Sequence, residues 1–185
     1  LLRGRFASPQ DKTRFLREAQ AAAKLNHPGI VSVFDVGEVG DRMYFSMPVI
    51  EGESLAELLT RGPLRPRDAA RKVAAIARAV DHAHQHGVVH RDLKPANIMI
   101  DDQSQIHVTD FGLARPVEGA RTLTRTGAIV GTPAFMAPEQ AAGNRGQVAA
   151  RSDVYALGAI LYNAITGQPP FKAGSPVDVI LKVLE

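Results

Sequence analysis

Helical periodicity organises most of this chain of 185 residues. A first helix is predicted from Ser8-Pro9, an N-cap residue followed by proline at the first helical position, to just before Asn26. Between residues 69 and 83 apolar side chains recur every three or four positions, which predicts a long amphipathic helix. A third helix, between Ser152 as its N-cap and Gly167, is apolar on nearly every side and is therefore expected to be buried. The last eleven residues predict one more amphipathic helix.

Runs typical of strands fill much of the remaining sequence. Residues 29–37 and 42–50 are rich in β-branched and aromatic side chains, and the four residues between them predict a hairpin turn. A short helix is expected at residues 51–59. Two more short strands are expected at residues 97–100 and 106–109, on either side of an Asp-Asp turn. The first part of the chain is thus predicted to mix strands and helices, and the later part to be mostly helical.

The composition narrows the class of protein. The apolar share of 45% and the charged share of 22% are those of a globular domain, and no apolar run in the printed residues is long enough to cross a membrane. Zero cysteines exclude disulfides and thiolate zinc sites, and fit a reducing compartment. The net charge is only +3 and the basic residues are scattered, so nucleic acid is not the expected partner. His82 and His86 share a helix face, but no third metal ligand is evident.

Three separated groups of residues carry the candidate chemistry. The first is the run "HRDLKPAN" from His90 to Asn97, and the second is Asp110-Phe111-Gly112. The third is Ala137-Pro138-Glu139, at the end of a threonine-rich stretch. Periodicity fades from residue 111 to about residue 150, and a loop of that length inside a compact domain is usually functional.

The residue types of these groups suit phosphoryl transfer. That reaction needs a nucleophile held in line and the negative charge of the phosphates neutralised, and Mg²⁺ prefers oxygen ligands. Asn97 and Asp110 can supply such oxygens from two neighbouring loops. Asp92 can orient a substrate hydroxyl and accept its proton. Lys94 can bring a positive charge near the transferred group.

The three groups, in this order and at this spacing, resemble the signature of the protein kinase family, and the form of the first group is similar to that of bacterial, Hanks-type serine/threonine kinases. The resemblance covers essentially the whole chain. It implies an α+β, protein-kinase-like bilobal fold that is partial, with part of the N-lobe (helix C and strands 4 and 5) and most of the mainly helical C-lobe. The implied segments are 1–47 for the N-lobe remnant, 48–52 for the hinge, 53–185 for the C-lobe and, within it, 110–139 for the activation segment.

The resemblance also implies a role for each residue of the catalytic loop. Asp92 corresponds to the catalytic base, Lys94 to the lysine that contacts phosphate, and Asn97 and Asp110 to the Mg²⁺ ligands. The implied cofactors are ATP and Mg²⁺, with Mn²⁺ as a second candidate metal. The implied partners are proteins that bear Ser or Thr, and the reaction is transfer of the γ-phosphate of ATP to those residues.

Besides Asp110, five residues are implied to contact or organise the nucleotide. Met47 resembles the gatekeeper, and Val49 and Ile50 lie in the hinge that presents backbone groups to adenine. Met99 resembles the apolar floor under adenine, although an ordinary core methionine would look the same. Glu18 corresponds to the glutamate of helix C, whose partner in the family is a lysine on the third strand.

The remaining implied roles are regulatory and structural. Arg91 is expected to bind a phosphorylated residue of the activation segment. The candidate phosphorylation sites are Thr122, Thr124 and Thr126, and Thr132 corresponds to the threonine that helps to select Ser/Thr substrates. Structural roles are implied for His90, Phe111, Gly112, Glu139 and Asp153, the last as the aspartate that braces the catalytic loop from a buried helix.

Two parts of the family's pattern are absent from the printed residues. The strand lysine and the glycine-rich loop over the phosphates would precede Leu1, and the last helices of the C-lobe would follow Glu185. We therefore expect a truncated sequence that alone has little or no kinase activity.

The alternatives are a regulatory pseudokinase or another non-catalytic partner-binding module, and a small-molecule phosphotransferase, which the loop from Thr122 to Glu139 disfavours. The expected location is the cytoplasm, and any membrane anchor of the parent protein is expected outside this segment. Self-association is expected, since it would allow autophosphorylation.

Overall fold

Two antiparallel sheets and six α-helices form the part of the chain that the computed structural model describes, which is residues 9–39, 42–111 and 133–185. The strands are β1 (Asp35–Val39), β2 (Arg42–Ser46), β3 (Gly52–Ser54), β4 (Ile98–Asp101) and β5 (Ile106–Val108). The helices are α1 (Pro9–Ala22), α2 (Leu55–Thr60), α3 (Pro66–Gln85), α4 (Pro138–Ala141), α5 (Ala150–Thr166) and α6 (Pro176–Leu184). No helix in these ranges is both long and apolar enough to cross a membrane.

The first sheet is the predicted hairpin, in which β1 pairs with β2 from Asp35 opposite Ser46 to Val39 opposite Arg42. The first strand begins six residues later than the apolar pattern predicted, at Asp35. The backbone of the preceding residues is used elsewhere, because Val31 N–H donates to the carbonyl of Val108 at 2.9 Å and Ile30 forms a parallel bridge to the same residue. The segment before β1 therefore joins the hairpin to the second sheet.

The second sheet has the order β3-β4-β5 and contains both short strands that the sequence predicted, β4 and β5. Gly52, at the start of β3, has φ +148°, and a Cβ there would lie 2.0 Å from the carbonyl oxygen of Ile100, so no other residue fits this approach. The expected helix at residues 51–59 is divided between β3 and α2. Ser54 begins α2 because its hydroxyl accepts from the N–H of Glu57, whose carboxylate accepts from the N–H of Ser54 in return.

Helix α3 has the predicted amphipathic face and packs against α5 and the second sheet. The main core joins this face to β4, β5 and one face of α5, and its fully buried members include Leu55, Ile76, Val80, Ile98, Val108 and Ile160. A separate small cluster, Ala19, Val33 and Met43, lies between α1 and the hairpin. A third cluster, Ala141, Ile180 and Val183, lies between α4 and α6. The apolar side chains of the described residues therefore divide into one large core under the second sheet and two small clusters.

The start and surroundings of α5 differ from the sequence prediction. Ala149 is the N-cap residue rather than Ser152, whose hydroxyl instead accepts from the N–H of Ala149 at 3.3 Å and donates to the carboxylate of Glu139. The end at Gly167 is as predicted, in the left-handed conformation (φ +74°) that glycine tolerates. The expected burial on nearly all sides is also incomplete, since Val154 and Tyr162 are exposed to 61% and 49%. The described residues cover one face of this helix and leave that stripe open.

Candidate active site

The segment from His90 to Asn97 is held from below by helix α5. Asp153, which is 1% exposed, accepts the N–H of His90 at 2.8 Å with one carboxylate oxygen and the N–H of Arg91 at 2.8 Å with the other. The first of these oxygens also lies 2.7 Å from Nε2 of His84 on α3. A buried carboxylate is stabilised when it accepts several hydrogen bonds, and here these bonds join the loop to two helices.

Arg91 has a strained backbone in the middle of this segment. Its φ of +68° lies in the left-handed region, which costs a non-glycine residue of the order of 1 kcal/mol or more unless its surroundings hold it there. Three contacts do so. Its N–H donates to Asp153, its carbonyl accepts from Nε2 of Gln140 at 2.7 Å, and its guanidinium donates to Oε1 of Glu18 at 2.9 Å.

Asp92, Lys94 and Asn97 contact one another in a single cluster. Nζ of Lys94 donates to Oδ2 of Asp92 at 2.7 Å. The amide nitrogen of Asn97 donates to the carbonyl of Asp92 at 2.8 Å and to its Oδ2 at 3.3 Å. These bonds hold the carboxylate in position and fix which end of the Asn97 amide is the donor. Within the described part of the chain no hydrogen bond reaches the amide oxygen of Asn97, so that oxygen is available to a cation.

Thr109 connects this cluster to Asp110. Its N–H donates to the carbonyl of Asn97 at 2.9 Å, and its hydroxyl contacts the same oxygen at 3.3 Å. The next residue, Asp110, has φ +61°, and its Oδ2 lies 3.5 Å from the hydroxyl of Thr109. The two predicted Mg²⁺ ligands, Asn97 and Asp110, are thus brought together through one hydrogen-bonded residue between them.

His90 is a buried, neutral part of the same network. Burial lowers the pKa of its imidazole below the usual 6.5 of histidine. Nε2 carries the proton, because it lies 2.9 Å from the carbonyl of Thr109, and Nδ1 accepts from the N–H of Asp92 at 3.3 Å. The ring of Phe111 packs against the imidazole with centroids 4.7 Å apart. The structural roles of His90 and Phe111 stay predictions beside these contacts.

The donor set of this cluster suits a hard divalent cation. Mg²⁺ takes one or two protein oxygens and completes its octahedron with water and phosphate oxygens, so a carboxylate and an amide oxygen are sufficient. No group of three or more His, Cys, Asp or Glu side chains that could hold a metal ion occurs in ranges 9–39, 42–111 and 133–185, and the set Asn97 and Asp110 does not require one. The rings of His27 and His82 have centroids 5.2 Å apart, but together with His86 they do not form such a group.

The residues predicted to contact adenine lie in the segment before the second sheet and in its middle strand. Met47, Val49 and Ile50 occupy the irregular segment between β2 and β3, where Val49 is 89% exposed. Met99 is in β4, on the face opposite the buried residues Ile98 and Ile100. Its side chain is therefore outside the main core, unlike that of the ordinary core methionine that the sequence left open.

The structure describes Glu139 and Arg91 but not the predicted residues between 112 and 132. Glu139 accepts from the hydroxyl of Ser152, and this bond holds the pKa of its carboxyl below the usual value, with Arg151 acting in the same direction. Arg91, predicted to bind a phosphorylated residue, contacts Glu18 instead in this structure. Gly112, Thr122, Thr124, Thr126 and Thr132 lie outside the described residues.

Sequence reasoning missed three residues that hold the loop. Gln140, Thr109 and His84 each bond to a residue of the predicted site, but their partners are 49, 12 and 69 residues away along the chain. Position next to a motif was the available signal for the first two, since Gln140 follows Glu139 and Thr109 precedes Asp110.

A small cavity of about 20 Å³, the space of about one water molecule, opens beside the predicted site. Its lining comes from Arg91, Asp92, Leu93, Lys94, Phe135, Met136, Gln140, Asp153 and Ala156.

Comparison with known proteins decides between the families that could share such a site. The model of the protein kinase domain matches residues 2–183. The chain belongs to the protein kinase family. Its relatives include the serine/threonine-protein kinase PknB of Mycobacterium leprae, which is 46% identical over 92% of this chain and 28% of that protein. The serine/threonine-protein kinase PrkC of Bacillus subtilis is 45% identical over 93% of this chain and 26% of that protein.

Two further matches support the assignment of the kinase chain to the bacterial serine/threonine branch. The DNA damage-responsive serine/threonine-protein kinase RqkA of Deinococcus radiodurans is 48% identical over 95% of this chain and 26% of that protein. The crystal structure of the PknI kinase domain of Mycobacterium tuberculosis superimposes with a TM-score of 0.72 and 32% identity, over 91% of this chain and 62% of that chain. The partial, mixed helix-and-sheet kinase fold that the sequence predicted is confirmed. The chain spans between a quarter and a third of the length of the curated relatives that it matches.

Proposed function

We propose that the protein carrying this chain transfers the γ-phosphate of ATP to serine or threonine residues of protein substrates. The observation that carries the proposal is the single hydrogen-bonded network through Asp92, Asn97 and Thr109 to Asp110. A base, an amide and a second carboxylate on two hydrogen-bonded loops would supply what phosphoryl transfer needs from a protein, which is positioning and charge stabilisation.

Each residue of the network has one part in the proposed mechanism. Asp92 accepts a hydrogen bond from the substrate hydroxyl, aligns it with the phosphorus atom and receives its proton as the new P–O bond forms. Lys94, whose Nζ donates to Asp92, would contact the transferred phosphoryl group as well. Asn97 and Asp110 would hold Mg²⁺, or Mn²⁺ in its place, and the bound metal would neutralise charge on the phosphates. Met47, Val49, Ile50 and Met99 would line the adenine site.

The 185-residue chain by itself is proposed to transfer phosphate poorly. The printed residues ahead of α1 contain one glycine, and within the printed sequence we find no glycine-rich loop to cover the phosphates. Glu18, the family's partner for the phosphate-binding lysine, contacts Arg91 here. The same observation favours a second candidate, a regulatory pseudokinase, in which nucleotide or partner binding occurs without turnover.

Regulation and partners follow the same proposal. Arg91 would exchange Glu18 for a phosphorylated residue among Thr122, Thr124 and Thr126, and self-association would allow one copy to phosphorylate another. Thr132 would favour serine and threonine hydroxyls as acceptors. We place the reaction in the cytoplasm, where ATP is available.

A transfer assay with labelled ATP tests the proposal. The protein as its gene encodes it is incubated with Mg²⁺, ATP labelled at the γ-phosphate and a basic protein substrate, beside the variants Asp92→Asn and Asp110→Asn. The exposed turn residue Asp102, changed to Asn, is the matched control. We expect label on serine or threonine, a loss of at least a hundredfold in both site variants and less than a twofold change in the control. Nucleotide binding without transfer would favour the pseudokinase, and label that persists in Asp92→Asn would contradict the assigned base.

A further inference from the structure

Gln140 uses both ends of its side-chain amide to join two parts of the site. Nε2 donates to the carbonyl of Arg91 at 2.7 Å, and Oε1 accepts from the N–H of Ala137 at 3.1 Å. We propose that Gln140 is a positioning residue for the reaction of Asp92, which it controls through the peptide bond between Arg91 and Asp92. This inference rests on the proposed function, since it concerns the rate at which that site transfers phosphate.

The peptide unit between Arg91 and Asp92 is held at both of its polar atoms. Its carbonyl accepts from Gln140 at 2.7 Å, and its N–H donates to Nδ1 of His90 at 3.3 Å. The bond from Gln140 is the shorter of the two, and the bond to His90 is at the long end of the range. Because a peptide unit is planar, rotation about its flanking bonds would move the Cα of Asp92 and with it the carboxylate. Gln140 therefore limits the rotation that would displace the base.

The strained backbone of Arg91 makes the hydrogen bond from Gln140 necessary. A left-handed φ of +68° returns to a more populated region when its tethers are released. The N–H of Arg91 is held by Asp153, but that bond lies on the preceding peptide unit and leaves the next one free to turn. Among the described residues, two hydrogen bonds act on the peptide unit between Arg91 and Asp92. They are the bond from Gln140 to its carbonyl and the long bond from its N–H to His90.

The other end of Gln140 connects the base to the segment that follows residue 132. Ala137 comes directly after the 3₁₀ turn Pro133–Phe135 and Met136, and begins α4 as its N-cap residue. The main-chain N–H of Gln140 also donates to the carbonyl of Ala137 at 2.9 Å, so the two residues are held at a constant separation. A shift of the segment that leads into α4 would thus be passed to the carbonyl of Arg91. The position of the base depends on the position of this segment.

The substitution Gln140→Glu separates positioning from folding. A glutamate keeps the acceptor for the N–H of Ala137 and is favourable at the third position of a helix, close to the positive end of its dipole. It cannot donate to the carbonyl of Arg91 when ionised. The second variant, Gln140→Met, removes both bonds without adding charge. The control is Gln147→Glu, which makes the same change of charge at an exposed glutamine.

The kinetic readout uses the protein as its gene encodes it, in the Mg²⁺–ATP transfer assay. We expect kcat to fall about tenfold in Gln140→Glu and Gln140→Met, the KM for ATP to change less than twofold, and Gln147→Glu to match the parent protein. The urea midpoint of Gln140→Glu should fall only by what one lost hydrogen bond costs, so the variant stays folded in the absence of urea. A kcat within twofold of the parent in Gln140→Met would overturn the proposal, and so would a fall in kcat that only follows a fall in the folded fraction.

Hydrogen exchange separates failure of this inference from failure of the proposed function. If the parent protein transfers no phosphate, the proposed function fails, and the exchange rate of the Asp92 amide still decides the role of Gln140. Faster exchange of that amide in both Gln140 variants than in Gln147→Glu supports positioning of the peptide unit. Equal exchange in all proteins overturns it.

Discussion

The loop of residues 90–97 and the β1–β2 hairpin are held in place by different kinds of interaction. The loop of residues 90–97 has hardly any regular structure, yet its backbone is bonded to Gln140 of α4 and Asp153 of α5, which lie 49 to 63 positions away. The hairpin is regular, but its hydrogen bonds join adjacent strands and its own core is the three buried residues Ala19, Val33 and Met43. Regularity and anchorage are therefore separate properties in this molecule.

This difference between the loop and the hairpin indicates which part of the kinase domain needs to be rigid. In the proposed mechanism the loop carries the groups whose relative positions decide a phosphoryl transfer. Several of its backbone groups are hydrogen-bonded to distant residues, although Nε of Arg91 is buried without a hydrogen-bond partner among the described residues. The hairpin and α1 approach that loop through the ion pair of Glu18 and Arg91, in which both side chains are partly exposed. Among the described residues, Ala22 of α1 also reaches the main core, and Val31 bonds to Val108 of the second sheet. With only a small core of its own and a partly exposed ion pair to the loop, this part should be held less firmly than the loop is.

The largest effect is expected when the anchor of the loop is removed. Asp153→Ala leaves the buried N–H groups of His90 and Arg91 without their acceptor, and should lower the free energy of unfolding by about 4 kcal/mol. Urea denaturation of the 185-residue chain measures it. Asp102→Ala, in the exposed turn after β4, should change the stability by less than about 0.5 kcal/mol. A loss below about 1 kcal/mol for Asp153→Ala would show that the loop does not depend on α5.

Next in size is the contrast between the two cores. Ile76 in the main core and Met43 in the small one are both almost completely buried, at 0% and 2% exposed. Truncation to alanine should cost about 4 kcal/mol at Ile76 but about 2 kcal/mol at Met43, since the small cluster can collapse around the lost volume. Thermal or urea unfolding of Ile76→Ala and Met43→Ala gives both values. Equal losses, or a larger one at Met43, would remove the distinction between the two regions.

A pH titration sharpens the same comparison. Burial depresses the pKa of His90 in the folded state, so below pH 6.5 the unfolded chain binds more protons and stability falls as the pH falls. One such group contributes at most about 1.4 kcal/mol per pH unit. His27 acts in the same direction, because burial also lowers its pKa, whereas Glu139, with its depressed pKa, loses its contribution only as the pH falls below about 4.5. His90→Phe should flatten the slope between pH 6.5 and 5.

The measurement is urea unfolding of the parent chain and of His90→Phe at half-unit steps of pH. Phenylalanine keeps a ring against Phe111 and cannot titrate, so the absolute stability falls but its dependence on pH weakens. An unchanged slope would mean that the imidazole is not held neutral in the folded loop.

The smallest expected effect is at the contact between the two regions. A double-mutant cycle with Glu18→Gln and Arg91→Gln should give a coupling energy of about 1 kcal/mol or less, because 21% and 29% of the two side chains remain exposed. The exposed pair Arg65 and Asp68 is the control and should give less. A coupling above about 3 kcal/mol would show that the hairpin region is locked to the loop rather than loosely joined to it.

The sequence predicted that three of the candidate residues lie together because they are near one another in the chain, and their roles stay predictions. Asp92, Lys94 and Asn97 lie within six positions of one another, and the structure brings them into one hydrogen-bonded cluster. The partners that hold the cluster could not be predicted in the same way. Whether Gln140 reaches Arg91 depends on where α4 is placed, and sequence spacing carries no information on that distance.

The fold shows the same division between local and long-range information. The helices α3 and α6 and the strands β4 and β5 follow from period and turn chemistry. The start of β1 does not, because the apolar residues before it pair with Val108 of the second sheet. Ser152 is a good N-cap residue by type, but its hydroxyl bonds to Glu139, thirteen residues earlier, and Ala149 begins the helix. In both cases a tertiary contact overrode a local preference.

Paramagnetic relaxation by Mn²⁺ tests most directly the claim that Asn97 and Asp110 form one metal site beside Asp92. In ¹⁵N spectra of the 185-residue chain with ATP, substoichiometric Mn²⁺ should broaden the amide signals of Asn97 and Asp110 first. The neighbouring acidic pair Asp101 and Asp102, in the turn after β4, should stay sharp. Broadening that begins at Asp101 and Asp102, or that leaves Asn97 and Asp110 unaffected, would contradict the account.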